Sequence, residues 1–126
     1  MAEVFEIQVQ ADFSAAHFLE GYSGDCSRTH GHNWNIEVYV TCKKLNVIGI
    51  GIDFRDIKQS IKEIIKDFDH CFLNKHPVFK DMNPTSENIA RYVYKELGRR
   101  INSEHVKVSK VKASESPKTG VFYWEE

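Results

Sequence analysis

No apolar run in this chain approaches the roughly 18 residues of a membrane-spanning helix, which excludes a helical membrane protein. Cysteine is scarce: three among 126 residues, an odd number that argues against a disulfide framework and for reduced thiols. Charge of one sign is lacking too. A formal net charge of -1 gives no broad attraction to nucleic acid or to an anionic membrane, so neither is expected as a partner. The first residues, Met1-Ala2-Glu3-Val4, show no basic-then-apolar signal, and a cytoplasmic location is the expectation. Repeats, low-complexity tracts and linkers are absent as well. At this length the expectation is a single domain, residues 1–126, large enough for a real core.

What the chain does have is period-two alternation. Phe5, Ile7, Val9, Ala11, Phe13 and Ala15 share one parity, with Glu6, Gln8, Gln10, Asp12 and Ser14 on the other. That pattern predicts a long half-buried strand. A second run places Trp34, Ile36, Val38, Val40 and Cys42 on one parity. His17 carries the apolar parity of the first run, and His30 and His32 that of the second. The stretch Val47 to Ile52 reads as short and extended. Asp53 is a plausible N-cap for a helix whose stripe is Phe54, Ile57, Ile61, Ile64, Ile65 and Phe68. Thr85 or Ser86 caps a second helix with Ile89, Ala90, Val93, Leu97 and Ile101 on its stripe. In the third strand, Val106 and Val108 give way to Val111, Ala113 and Glu115, a parity switch that predicts a bulge near Ser109-Lys110. Val121 to Trp124 is the last strand. The order is ββααββ: an α+β fold, an antiparallel sheet with two helices on one face. Strands this long leave long edges, which self-assembly would cover.

Residues two apart on a strand share a face, so His30 and His32 can chelate one ion and His17 can join them from the neighbouring strand. Three neutral imidazoles with one open position is the usual composition of a catalytic zinc site. The plainer reading of each histidine is a core imidazole bonded to a backbone carbonyl. Cys26, four residues before His30, has three readings: a fourth ligand closing a structural site, an inert loop thiol, or a thiolate base beside the ion. Asp69-His70 offers a carboxylate to orient an imidazole acting as acid or base, which requires irregular backbone because adjacent side chains diverge on regular elements. Alternatively it is a polar pair at a helix end. Glu115 on an inward face needs donors, either a lysine or the two parallel N–H groups of a guanidine-like ring edge.

Phe13-Ser14-Ala15-Ala16-His17, Cys26-x-x-x-His30-Gly31-His32, Gly51-Ile52-Asp53-Phe54, Asp69-His70-x-x-Leu73-Asn74, Asn83-Pro84-Thr85-Ser86-Glu87 and Glu115 stand in the order of the 6-pyruvoyl-tetrahydropterin synthase family. The chain resembles that family over nearly its whole length. Its short Cys26-to-His30 spacing is similar to the 6-carboxy-tetrahydropterin synthase branch, which feeds queuosine synthesis. The biopterin-making branch carries a longer insertion there, and a third branch, serving folate synthesis, has glutamate in or beside the cysteine position, where this chain has Ser27.

The resemblance implies a tunnelling fold, with trimers closing a barrel and pairing into hexamers, and with active sites between subunits. It implies zinc on His17, His30 and His32, Cys26 as base, Asp69-His70 as proton relay and Glu115 as anchor of the pterin ring, in some accounts also part of the relay. Thr85 and Ser86 match positions that touch the pterin. The implied substrate is 7,8-dihydroneopterin triphosphate, converted to 6-carboxy-5,6,7,8-tetrahydropterin with release of acetaldehyde and triphosphate. Two other functions stay open: the sibling 6-pyruvoyl-tetrahydropterin synthase, and a non-catalytic zinc-stabilised oligomer with Cys26 as fourth ligand.

Overall fold

The two alternating runs form β1 (Phe5–His17) and β2 (His30–Cys42), paired antiparallel from Phe5 opposite Cys42 to His17 opposite His30. This computed structural model describes residues 2–126 apart from Ser23, Asp25 and Cys26. The register follows from burial. Val9, Phe13, Trp34, Ile36, Val38 and Val40 all face the core, and a slip of one residue would turn them outward together. Helix α1 (Phe54–Ile65) starts where the Asp53 carboxylate accepts the Arg55 N–H at 2.8 Å. Helix α2 (Ser86–Ile101) starts at Thr85, whose hydroxyl accepts the Asn88 N–H at 3.1 Å. The remaining strands are β3 (Cys71–Phe72), β4 (Val106–Ser116) and β5 (Thr119–Tyr123), and the sheet order is β3-β1-β2-β4-β5.

Both helices cover one face of the sheet. Ile57, Ile61, Ile64 and Ile65 of α1 and Ile89, Ala90, Val93 and Leu97 of α2 are buried. Each buried isoleucine or leucine contributes about 1.5–3 kcal/mol relative to exposure, so this layer is the main source of stability. Phe13 stacks on Trp34 at 5.9 Å between ring centroids and meets Phe68, just beyond α1, at 5.6 Å. The histidine-bearing ends of β1 and β2 lie on this helix-covered face.

Three expectations need correction. The four-strand order omits β3, a two-residue strand that pairs parallel with the end of β1. Residues 47–52 are not extended: the Asn46 side-chain oxygen accepts N–H groups of both Ile48 and Ile50 at 3.0 Å, and Gly49 sits at φ 87. A turn closed by a side chain leaves no periodic trace, and the apolar letters there mimic a strand. Phe54 has the right angle for the α1 stripe but lies a turn ahead of the core and is 58% exposed.

The predicted bulge is present. Tyr39 faces Lys110 and Val40 faces Val108, so Ser109 is the extra residue. A second irregularity lies between β4 and β5, where Ser114 and Glu115 together oppose Gly120. A Cβ at Gly120 would stand 2.7 Å from the Ser114 hydroxyl and 2.4 Å from Lys112 Cε, so any larger residue would require those side chains to shift. Bulges re-aim side chains, and this one accompanies the turn of Glu115 toward the histidines.

Candidate active site

Strand pairing alone brings the three imidazoles together. His17 is opposite His30, and His32 is opposite Ala15 two residues further along. One ring nitrogen from each of His17, His30 and His32 lies within 4.8 Å of the others. Backbone carbonyls set the tautomers: His17 Nδ1 is 2.8 Å from the Pro84 oxygen and His30 Nδ1 is 2.7 Å from the Arg28 oxygen. A carbonyl only accepts, so each Nδ1 carries the hydrogen and each Nε2 keeps its lone pair. That is the ligand-orienting arrangement seen behind metal-bound histidines.

His17 is fully buried, and Trp34 packs edge-on against both His17 and His32 at 5.0 and 5.5 Å. The Nε2 atoms of His17 and His32 are buried with no hydrogen-bond partner among the described residues. Burial pushes the pKa of His17 below its ordinary value, with the Pro84 carbonyl and Glu115 opposing; burial does the same to His32 against Glu115. Both rings are therefore neutral at neutral pH, the form that binds metal. The unpartnered Nε2 atoms and the tautomers fixed at His17 and His30 fit a divalent cation, and the carbonyl-bonded core reading accounts for only one nitrogen of each of those two rings.

Glu115 reaches this cluster from β4. Its carboxylate oxygens lie 3.8 Å from His17 Nε2 and 3.4 Å from His32 Nε2. It also lines a cleft of about 510 Å³ with Tyr22, Asn83, Thr85, Ser86 and Gly120, a volume that suits a small molecule. Thr85 and Ser86 thus meet Glu115 on one cleft wall, although the Thr85 hydroxyl is engaged as the α2 cap.

His70 lines a second concavity, shared with Ser14, Asn33, Cys71 and His32, and Asp69 stands beside it. The backbone there is irregular, as the adjacency of the pair requires: His70 sits at φ 57, in the left-handed region. Asp69 Oδ1 accepts the Ser14 N–H at 3.0 Å and stands 3.1 Å from His70 Nδ1. The Ser14 N–H holds the Asp69 carboxyl below its usual range, with His70 adding to the effect. His70 is 82% exposed, so its imidazole is free to meet a ligand. Cys26 lies outside the described residues. Arg28, Lys75 and Lys118 are all exposed, and no acidic partner lies within bridging distance of them among the described residues.

Sequence reasoning gave no role to Asn74, Asn83 and Pro84. The Asn74 side chain clamps Phe18, accepting its N–H at 2.9 Å and donating to its carbonyl at 3.0 Å. Asn83 clamps Glu20 in the same reciprocal way, both bonds at 2.9 Å. These amides hold the chain that leaves β1 just after His17, while the neighbouring Pro84 carbonyl orients His17. An asparagine within a Leu-Asn or Asn-Pro turn is the only local signal, and its partners lie more than fifty residues away.

A family model described as 6-pyruvoyl tetrahydropterin synthase matches residues 6–126. An Archaeoglobus fulgidus protein, assigned provisionally as a 6-carboxy-5,6,7,8-tetrahydropterin synthase, is 36% identical over 110 residues, covering 86% of this chain and 90% of its own. The Haemophilus influenzae 6-carboxy-5,6,7,8-tetrahydropterin synthase is 28% identical, covering 97% of this chain and 100% of its own. Among solved structures, the Caenorhabditis elegans 6-pyruvoyl tetrahydropterin synthase superposes with a TM-score of 0.86 at 26% identity, covering 99% of this chain and 98% of that one.

Proposed function

Since the chain belongs to the 6-pyruvoyl tetrahydropterin synthase family, we propose that it is a zinc-dependent lyase acting on 7,8-dihydroneopterin triphosphate. Its products are 6-carboxy-5,6,7,8-tetrahydropterin, acetaldehyde and triphosphate, a step in queuosine (7-deazaguanine) biosynthesis. The observation that carries this reading is the convergence of three imidazole nitrogens beside Glu115, at the wall of a cleft of small-molecule size. The names of the Archaeoglobus and Haemophilus relatives support the choice of product.

His17, His30 and His32 hold the ion through Nε2, the nitrogens left free by the Pro84 and Arg28 carbonyls for the first two. Bound zinc supplies Lewis acidity, making side-chain hydroxyls of the substrate more acidic. Glu115 accepts the paired N–H groups of the pterin edge, a bidentate contact that fixes ring orientation. Thr85 and Ser86 line the same wall. Cys26 acts as the thiolate base, and Asp69 orients His70, which exchanges protons at the other end of the reacting unit. The active form is a homo-oligomer, a trimer or a pair of trimers, with sites between subunits. Supporting this, the outer edge of the 13-residue β1 is covered by only two residues of β3. Among the described residues no helix is long and apolar enough to cross a membrane.

A second reading, synthesis of 6-pyruvoyl-tetrahydropterin, is favoured by the likeness to the Caenorhabditis elegans protein. Product analysis after incubation with dihydroneopterin triphosphate separates the two. Acetaldehyde and the 6-carboxy product are expected, and a 6-pyruvoyl product without acetaldehyde would overturn the assignment. Cys26→Ala is expected to abolish turnover while keeping the metal; loss of the metal instead would favour a closed structural site.

A further inference from the structure

The contact between Glu115 and His17 joins acceptor to acceptor. Pro84 holds the hydrogen of His17 on Nδ1, so Nε2 faces the Glu115 carboxylate with a lone pair, and no donor stands between them among the described residues. The separations, 3.8 Å to His17 and 3.4 Å to His32, exceed the 2.7–3.2 Å of a protein N–H···O hydrogen bond. They are instead close to the spacing of two ligands on one tetrahedral zinc, about 3.3 Å for bonds of about 2.0–2.1 Å. Two oxygens of one carboxylate approach two different ring nitrogens, those of His17 and His32.

From this we propose that Glu115 is the fourth protein ligand of the metal in the substrate-free enzyme. The inference rests on the reading that His17, His30 and His32 hold a divalent ion, and it assigns Glu115 a task besides gripping the pterin. Glu115 keeps the parity that the Ser109 bulge gives to Val111 and Ala113, and the β4–β5 irregularity opposite Gly120 falls at the same residue. The carboxylate, about one-third exposed, closes the cluster on the cleft side. Substrate arriving in that cleft then competes with the ion for one carboxylate, so an incoming pterin opens the coordination position that its own hydroxyls occupy.

The test loads purified protein with zinc or cobalt(II) and reads metal affinity by chelator competition and coordination by the cobalt visible spectrum. Glu115→Gln is expected to weaken metal affinity by about tenfold or more, in the range of removing a group that supports a metal site, and to shift the cobalt bands. Glu115→Asp, which keeps a carboxylate on a shorter arm, should fall between the two, and circular dichroism confirms that each variant is folded. X-ray absorption on zinc-loaded wild type asks the same question without substitution, and three nitrogens plus a carboxylate oxygen are expected. Unchanged affinity and spectrum in Glu115→Gln, or a water oxygen in place of the carboxylate, would overturn the proposal while leaving the three-histidine site intact. Failure of wild type to bind either metal would instead remove the underlying site.

Discussion

His17, His30 and His32 and the Asp69-His70 pair are built from the same residue types on neighbouring ends of one sheet, yet their environments are opposite. The trio sits on the helix-covered face, with His17 sealed off, two Nε2 atoms without partners among the described residues, and the pKa values of His17 and His32 pushed down by burial. His70 stands in solvent with its Nδ1 against Asp69, on a backbone twisted to φ 57. The nitrogens of the first group lie close enough to hold one cation. The second group has its orienting partner already and stands open to solvent. A histidine's function is thus read from which of its nitrogens is left over and from what surrounds that nitrogen.

This contrast can be attacked in order of expected effect. Chelation should abolish turnover, with zinc restoring it; residual full activity in metal-free protein would remove the distinction between the two groups. His70→Asn comes next. Asparagine tolerates the left-handed backbone, so melting temperature and metal content should stay unchanged while turnover falls about 10²–10⁴-fold, the typical contribution of a positioned acid or base. A variant that loses metal along with activity would place His70 in the buried group after all. Trp34→Ala removes the fully buried ring packed edge-on against His17 and His32. Denaturant unfolding should show a loss of about 3–5 kcal/mol, and metal affinity should weaken with it.

The smallest effect concerns pH. Asp69 is held below its ordinary pKa chiefly by the Ser14 N–H. A depressed folded-state pKa stabilises above the unfolded value, about 3.9 for aspartate, and that stabilisation is lost as pH falls through the folded value. The melting temperature of Asp69→Ala should therefore lie slightly below wild type at neutral pH, and the gap should close below pH of about 4. A gap independent of pH would mean that packing, not the charged hydrogen bond, is what Asp69 supplies.

The parts of this site legible in the sequence are those that alternation specifies. Because His17, His30 and His32 carry the parity of Phe13 and Trp34, their face was readable before any coordinates, and so was the bulge that puts Glu115 on it. The turn at Asn46 and the clamps of Asn74 and Asn83 were not readable, because each is made by one polar side chain reaching backbone atoms, with no period to register. β3 escaped for a related reason, since two residues are too few to show alternation. Phe54 shows the converse limit. It satisfies the helical period, but periodicity specifies an angle around the helix and not whether the core extends to that turn.

Metal titration of wild type and His17→Ala, followed by chelator competition, tests the central claim most directly. One equivalent of divalent ion per chain is expected for wild type, with affinity lowered by at least about a hundredfold in the variant, beyond the 10- to 100-fold typical of losing a supporting group. Equal stoichiometry and affinity in the two proteins would contradict the account, because the buried, partnerless Nε2 of His17 would then have no ion to serve.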